Sequence, residues 1–162
     1  MEPLFSEWSE FLRLLTRHRV RFLLIGGHAL AVHAQPRHTE DLDVFVAATP
    51  SNARRIRAAL ADFGFDAVAP SLEVLATLDK VFMLGRKPFR IDILTGIDGV
   101  TFEEAWSTRT TIRLAGGRVN VIGRDALVAN KRAAGRPKDL IDLLMLGEKS
   151  TPPRRKRRSH PA

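Results

Sequence analysis

The sequence predicts an α/β (α+β) fold, in which one mixed β-sheet is flanked by helices in a single domain. Helical and strand-like segments alternate through the first half of the chain, and strand-like pairs joined by glycine turns follow before two closing helices. At 162 residues, with 44% hydrophobic and 27% charged residues, the chain has the size and composition of one globular domain. We expect that domain to occupy residues 1–149.

The first half of the chain contains five predicted elements. Phe5, Trp8 and Phe11 recur at the spacing of an amphipathic helix. The next run, VRFLLIG, is apolar and ends in glycine, which is typical of a buried strand. Pro36 ends the short helix after it, and Thr49 begins a helix-start signature. In order, the elements are a helix over 3–19, a strand over 20–26, a helix over 27–35, a strand over 41–46 and a helix from about residue 50 to Gly64.

The second half contains two predicted hairpins and two closing helices. The segment VFMLGRKPFRIDIL predicts two strands joined around residues 85–88. The segment TIRLAGGRVNVIG predicts two more, turned at Gly116 and Gly117. RDALVANKRAAG and PKDLIDLLMLGEK predict the helices, which Gly135 and Pro137 separate. Residues 70–80 favour neither a helix nor a strand.

The composition excludes several kinds of site and segment. The chain has no cysteine, so it holds neither a disulfide nor a cysteine-based zinc site. The stretch MEPLFSEWSEFLRLL lacks the basic leader and unbroken apolar run of a signal peptide. No window reaches the roughly 18 consecutive apolar residues of a membrane span. We therefore expect a cytoplasmic protein with no membrane partner.

Residues 150–162 form a basic segment that we expect to be a disordered tail. The run RRKRR at 154–158 carries five of the formal net charge of +8 and follows two prolines. Such a run binds nucleic acid through counterion release. It equally fits a solvated segment that aids solubility, so the tail does not decide between these roles.

Asp41 and Asp43 are the first candidates for a functional site. Side chains two apart on a strand point to the same side, so the two carboxylates share one face while Leu42 and Val44 share the other. Carboxylates that close repel each other, and a divalent cation such as Mg²⁺ relieves the repulsion. A D-x-D segment alone also fits an exposed strand end with solvated acids.

The glycine pair Gly26-Gly27 strengthens the first interpretation. It lies between the first predicted strand and the next helix, and thirteen residues separate it from Asp41. Free N–H groups and the dipole at a helix N-terminus favour an anion such as phosphate, and glycine lets that anion approach closely. Most glycine pairs are only tight turns. His28 fits either phosphate binding or packing at the start of the helix.

Asp92 is the third candidate acid. It lies between Ile91 and Ile93 in a predicted strand, so its side chain points away from theirs. If that strand pairs with the strand of Asp41 and Asp43, three carboxylates meet, an arrangement that can hold two Mg²⁺ ions for in-line phosphoryl transfer. The alternative is a structural ion pair of Asp92 with Arg90 or Arg37. Arg37 fits phosphate binding, neutralisation of the acids, or an ion pair.

Together these segments resemble the polymerase-beta-type nucleotidyltransferase superfamily, in particular its small single-domain bacterial members from toxin–antitoxin and abortive-infection systems. RHTEDLDVFV is similar to their R-x-T-x-D-hydrophobic-D segment, and KRAAGRPKDLIDLLML is similar to their C-terminal helix pair. The likeness runs from Leu23 to about Leu146. It implies a nucleotidyltransferase-like mixed sheet.

The resemblance also implies roles for matching residues. It makes Asp41, Asp43 and Asp92 the catalytic and metal-binding acids, with Mg²⁺, or alternatively Mn²⁺, as the metal and an NTP as the donor substrate. The expected nucleotide-binding residues are Gly26, Gly27, His28, Arg37 and Lys131. The roles of Arg136, Lys138 and Asp139 in the matching segment are less defined. Many members have serine where this chain has Gly27, which leaves phosphate binding to the backbone and the imidazole that follows.

Two functions follow from the resemblance. The first is a metal-dependent nucleotidyltransferase that moves an NMP from an NTP to a hydroxyl of an RNA end, such as that of tRNA, or of a protein side chain. The second is a catalytically silent protein of the same fold that binds RNA or a partner protein as a toxin–antitoxin component. Gly27 and the basic tail motivate the second hypothesis, and a toxin–antitoxin partner protein fits both.

Overall fold

The computed structural model describes residues 4–149, and these form helices on a six-stranded sheet. A single 3-10 turn lies at Asp66–Val68. The helices are α1 (Ser6–Arg17), α2 (Gly26–His33), α3 (Pro50–Phe63), α4 (Leu72–Leu75), α5 (Phe102–Ser107), α6 (Arg124–Ala134) and α7 (Pro137–Met145). The strands are β1 (Phe22–Ile25), β2 (Asp41–Val46), β3 (Val81–Leu84), β4 (Arg90–Leu94), β5 (Thr110–Leu114) and β6 (Gly117–Val121).

The sheet is mixed, as the sequence predicts. Its strand order is β3-β4-β2-β1-β6-β5. The pairs β2–β4 and β1–β6 are parallel, and the other three pairs are antiparallel. Every residue of β1 is buried, which explains why its sequence is an uninterrupted apolar run. The predicted single α/β domain is confirmed for the described residues.

The face of β2 opposite to its two acids lies in the core. Leu42, Val44 and Val46 of β2 have no exposed surface. Helix α1 packs against α3. Its buried residues are Trp8, Phe11, Leu12 and Leu15, spaced as one face of a helix. Fully burying an aliphatic or aromatic side chain of this size contributes about 1.5–3 kcal/mol, so this helix face stabilises the fold.

The helix ends follow local sequence signals. The Thr49 side chain accepts a hydrogen bond from the Asn52 backbone N–H, Pro50 occupies the first turn of α3, and Gly64 ends that helix with a φ of 94°. The first helix begins at Ser6 and ends at Arg17, so it is shorter than the predicted span of 3–19. The expected tail over 150–162 lies outside the described residues.

Two details differ from the sequence predictions. The turn of the β5–β6 hairpin is Ala115-Gly116, because Leu114 pairs with Gly117 in the ladder. Both turn residues have positive φ, 55° and 75°, which matches the twist of a two-residue hairpin. The short helices α4 and α5 were not predicted. Within residues 4–149, no helix has the length and apolar character needed to cross a bilayer.

Candidate active site

The three candidate acids lie on neighbouring parallel strands. Asp43 of β2 is the register partner of Asp92 of β4, so the two side chains share one face of the sheet. Asp41 is two residues before Asp43 and therefore lies on that face as well. One carboxylate oxygen from each of the three residues lies within 4.8 Å of the others. The strand pairing on which the sequence prediction depended is confirmed.

Arg90 joins two of these acids. Its Nε donates to Asp92 Oδ1 at 2.9 Å, and its Nη2 donates to Asp41 Oδ2 at 3.0 Å. The hydrogen bond to Asp92 is the largest cause of a raised Arg90 pKa. The sequence left two alternatives for Asp92: convergence with Asp41 and Asp43, or an ion pair with Arg90. The structure contains both. Arg37 makes no ion pair with Asp92 and is bound elsewhere.

Asp43 has the least favourable electrostatic environment of the three acids. Burial, followed by the charges of Asp41 and Asp92, raises the pKa of Asp43 to about 7. Among the described residues it has no ion-pair partner. Clustered carboxylate oxygens are the ligands that Mg²⁺ prefers, and a divalent cation would remove the repulsion that raises this pKa. The donor set therefore fits a divalent metal.

The glycine turn lies against the same acids. Gly26 has a φ of 68°, and a Cβ at this position would overlap Asp43 Oδ2. A Cβ on Gly27 would lie 3.1 Å from Thr39 Cβ. The first turn of α2 contains no acidic residue. Its free N–H groups and helix dipole suit an anion beside the acid cluster, so phosphate binding by Gly26 and Gly27 stays a prediction with favourable geometry.

His28 lies in a different environment. Its ring packs edge-on against Trp8, with 5.1 Å between ring centroids. Burial lowers the pKa of His28, so the ring is neutral at neutral pH. It lines a mainly apolar groove next to the cleft that holds the acids, together with residues such as Trp8 and Ile112. This placement matches the packing alternative, and a phosphate role for His28 is a prediction that the geometry does not favour.

The acids and the glycine turn line a cleft of about 690 Å³. This volume falls within the range of small-molecule sites in proteins. Basic side chains from the α2–β2 loop, from α6, from the α6–α7 connection and from α7 line the same cleft. They are Arg37, Lys131, Arg136 and Lys138, in addition to Arg90. The cleft therefore brings a metal-binding acid cluster and several cations together.

Most of these cations are held by two buried acids of α7. Lys131 Nζ lies 3.2 Å from Asp139 Oδ1 and 3.0 Å from Asp142 Oδ2. Arg37 Nη1 lies 2.8 Å from Asp142 Oδ1, and Arg136 Nε lies 2.7 Å from Asp139 Oδ2. Asp139 and Asp142 are almost fully buried. Three cations share two carboxylates, so this charge network keeps one net positive charge beside the cleft.

Lys138 is the cleft cation that has no ion pair among the described residues. It is exposed, and its positive charge opposes the rise in the pKa of Asp43. Sequence reasoning gave it no defined role, and it gave Thr39 none. Thr39 Oγ1 donates to Asp41 Oδ1 at 3.0 Å and so orients that carboxylate. Thr39 precedes Asp41 by two residues, and that alternation is the signal by which its role could have been found.

Comparison with known proteins identifies a matching family. A protein-family model described as "Nucleotidyl transferase AbiEii toxin, Type IV TA system" matches residues 13–159. The match covers most of the chain and includes every residue of the acid cluster, the glycine turn and the charge network. No curated protein matches the chain.

Proposed function

Because the chain belongs to the AbiEii nucleotidyl transferase toxin family of type IV toxin–antitoxin systems, we propose that it transfers an NMP from an NTP to an acceptor hydroxyl with the help of Mg²⁺. The observation that carries this proposal is the convergence of Asp41, Asp43 and Asp92 beside the Gly26-Gly27 turn. The substrate and the family together favour a cytoplasmic enzyme that is controlled by an antitoxin partner.

The acids would hold the metal and receive the proton. Asp41 and Asp43 are the proposed ligands of Mg²⁺, with Asp92 as a further ligand or as the base. A bound Mg²⁺ would neutralise charge on the phosphates. As the base, Asp92 would accept the proton of the acceptor hydroxyl, whose oxygen would form a bond to the α-phosphorus of the NTP. The bond between that phosphorus and the bridging oxygen breaks, and pyrophosphate leaves.

The remaining cleft residues would bind the phosphates. The N–H groups at the start of α2 favour anionic oxygens, and the exposed ammonium of Lys138 lies on the same cleft. Arg136 is half exposed and adds a second cation. Lys131 and Arg37, which the resemblance makes nucleotide-binding residues, are bound to buried acids. They would therefore act on the phosphates through the net positive charge of the network rather than through direct contact.

Asp43→Asn tests the proposed chemistry. The substitution removes a charge from the cluster but keeps the shape of the side chain, so we expect NMP transfer to fall at least about a thousandfold while the fold remains. The assay incubates the purified chain with Mg²⁺, each radiolabelled NTP in turn, and total cell extract, which contains RNA and protein acceptors. Asp98→Asn, an exposed acid at the edge of the same cleft, is the control. Wild-type activity of the Asp43→Asn variant would disprove the mechanism.

A second function is a catalytically silent binding protein within the same toxin–antitoxin context. Two features favour it: Arg90 already compensates Asp41 and Asp92, and Gly27 offers no hydroxyl to a phosphate. A silent protein should show no Mg²⁺-dependent binding of NTP in calorimetry. Binding of Mg·NTP by the wild-type chain that is lost in Asp43→Asn would favour the enzyme over this alternative.

A further inference from the structure

Strand β5 is an edge of the sheet, and its outer side has no strand partner within residues 4–149. It ends the strand order and pairs with β6 alone. The two-residue turn makes Leu114 and Gly117 the first hydrogen-bonded pair of the hairpin, and such pairs then alternate along the ladder. Thr111 and Arg113 fall between these pairs, so their N–H and C=O groups point to the free edge. An edge of this kind is a template for a further strand.

One face of this edge is apolar. Ile112 and Leu114 are half-buried, and Ile112 shares its face of the sheet with its register partner, the buried Val119. Both line the apolar groove that also contains His28, which has a volume of about 450 Å³. Other apolar residues that line this groove are Leu4, Phe5, Trp8 and Val32. A strand added to β5 would therefore place every second side chain against an apolar surface.

The other face of the edge is cationic. Arg113 and Arg118 are register partners in the ladder. They form a non-hydrogen-bonded pair, the kind in which the side chains of an antiparallel ladder come closest together. Both are exposed, and neither has an ion pair among the described residues. Like charges directly opposite each other destabilise a ladder, so an acidic side chain on a neighbouring strand would relieve this repulsion.

The charge of this face discriminates between two kinds of added strand. A second copy of the chain, paired through its own β5 about a two-fold axis, would put both arginines of each copy on one face of the joined sheet. A strand with acidic side chains on that face would instead place an acid opposite Arg113 and offset the charge of the pair. The edge therefore fits an acidic partner strand better than a second copy. Strands β6 and β1 separate this edge from the acids of β2.

We propose that β5 binds an extended segment of a partner protein in which acidic and apolar residues alternate, and that this segment adds a further strand to the sheet. Main-chain hydrogen bonds to Thr111 and Arg113 supply part of the affinity, and the alternating side chains supply the specificity. The acidic side chains face Arg113 and Arg118, and the apolar side chains face the groove beside Ile112 and Leu114. This inference does not rest on the proposed nucleotidyl transfer, and its test involves neither metal nor nucleotide.

The test titrates the full chain into a fluorescent peptide of about eight residues in which glutamate and isoleucine alternate, and it measures the fluorescence anisotropy. We expect saturable binding that weakens as the salt concentration rises. A glutamate–serine peptide and a lysine–isoleucine peptide of the same length should each bind at least about tenfold more weakly, because the first lacks apolar side chains and the second lacks negative charge. Equal binding of either control peptide, or no binding of the glutamate–isoleucine peptide, would overturn the proposal.

Backbone methylation of the peptide tests strand addition without changing the chain. In an added strand only every second residue turns its N–H towards β5. We therefore expect N-methylation of one alternating set of peptide residues to weaken binding at least about tenfold, and N-methylation of the other set to leave it within about twofold. Equal effects of the two sets would show that the peptide does not bind as a strand.

A proline at the free edge locates the hydrogen bonds. Thr111→Pro removes an N–H that points away from β6 and keeps the ladder, so we expect at least about fivefold weaker peptide binding. Thr111→Val is the matched control: both variants lose the hydroxyl that donates to Asn120, but only the proline loses the N–H. Melting temperatures show whether both variants fold. Equal affinities of the two folded variants would place the peptide elsewhere.

Charge variants test the cationic face. Arg113→Ala/Arg118→Ala should bind the glutamate–isoleucine peptide about fivefold more weakly and lose most of the salt dependence. Arg86→Ala/Lys87→Ala removes two exposed cations near the opposite edge of the sheet and should bind like wild type. Equal losses in the two double variants would mean that general charge, and not this edge, attracts the peptide.

Sedimentation of the wild-type chain tests the alternative occupant. We expect a monomer at the concentrations of the binding assay, because the arginines of β5 and β6 oppose pairing of two copies through this edge. A dimer that Thr111→Pro dissociates would assign the edge to a second copy of the chain and overturn the proposal.

Discussion

At the scale of single residues, Gly26 links the backbone to the acid cluster. Its φ of 68° is in the left-handed region, and the position of a Cβ is occupied by the Asp43 carboxylate. A larger residue therefore meets two separate difficulties, one in the backbone and one in the side-chain position of a proposed metal ligand. These difficulties can be separated, because Gly116 has a similar φ of 75° and nothing within 4 Å of its Cβ position.

We predict that Gly26→Ala destabilises the chain more than Gly116→Ala does. Backbone strain of this kind costs about 1–3 kcal/mol at either site. Gly26→Ala must also move Asp43, so it should additionally weaken Mg²⁺ binding measured by calorimetry. Urea unfolding supplies the free energies of unfolding. Equal destabilisation by the two variants, together with unchanged Mg²⁺ binding, would contradict the geometry of the turn.

At the scale of elements, α6 and α7 are joined by the charge network of Lys131, Asp139 and Asp142. Burial tends to raise the pKa of Asp139, but the hydrogen bond from Arg136 and the charge of Lys131 outweigh it and hold that pKa below its ordinary value of 3.8. A carboxyl whose pKa is lower in the folded state stabilises the fold above its unfolded pKa. That contribution is lost as the pH falls through the folded pKa.

We predict that Lys131→Met destabilises the chain by about 1–3 kcal/mol at pH 7, because the two buried carboxylates lose their shared cation and keep one arginine each. The difference from wild type should shrink below about pH 4, where the carboxyls of the variant take up protons. Unfolding free energies at pH 7 and pH 3.5 measure both. Lys138→Met is the matched control, because Lys138 is exposed and has no ion pair in the described chain. A stability difference that does not depend on pH would contradict the network.

The elements also show what sequence can and cannot predict. Strand β2 was predicted with its observed bounds, because alternation fixes both the strand and the shared face of Asp41 and Asp43. Helix α5 was missed because its six residues are too few to show a helical period. The ion-pair partners of Arg37 and Lys131 could not be predicted from the sequence. Arg37 lies 105 residues from Asp142, and only the packing of α7 beside the cleft brings them together.

At the scale of the whole molecule, residues from both the first and the last third of the sequence line the cleft. The glycine turn and β2 come from the first third of the sequence, whereas Lys131, Arg136 and Lys138 come from the last. A ligand that contacts both groups binds only the folded chain. It must therefore raise the free energy of unfolding by mass action, by about 2.7 kcal/mol when its concentration is a hundred times its Kd.

We predict that Mg²⁺ together with a non-hydrolysable NTP raises the Tm by about 5–10 °C at such a concentration, since 1 kcal/mol corresponds to about 2–4 °C for a domain of this size. Neither component alone should give the full shift, because the acids need the metal to tolerate the phosphates. Asp43→Asn should lose most of the shift, and Lys138→Met should lose part of it. Differential scanning fluorimetry with all four nucleotides measures these values. An equal shift in wild type and Asp43→Asn would mean that the nucleotide binds away from the acid cluster, and the arrangement of the cleft would then need another explanation.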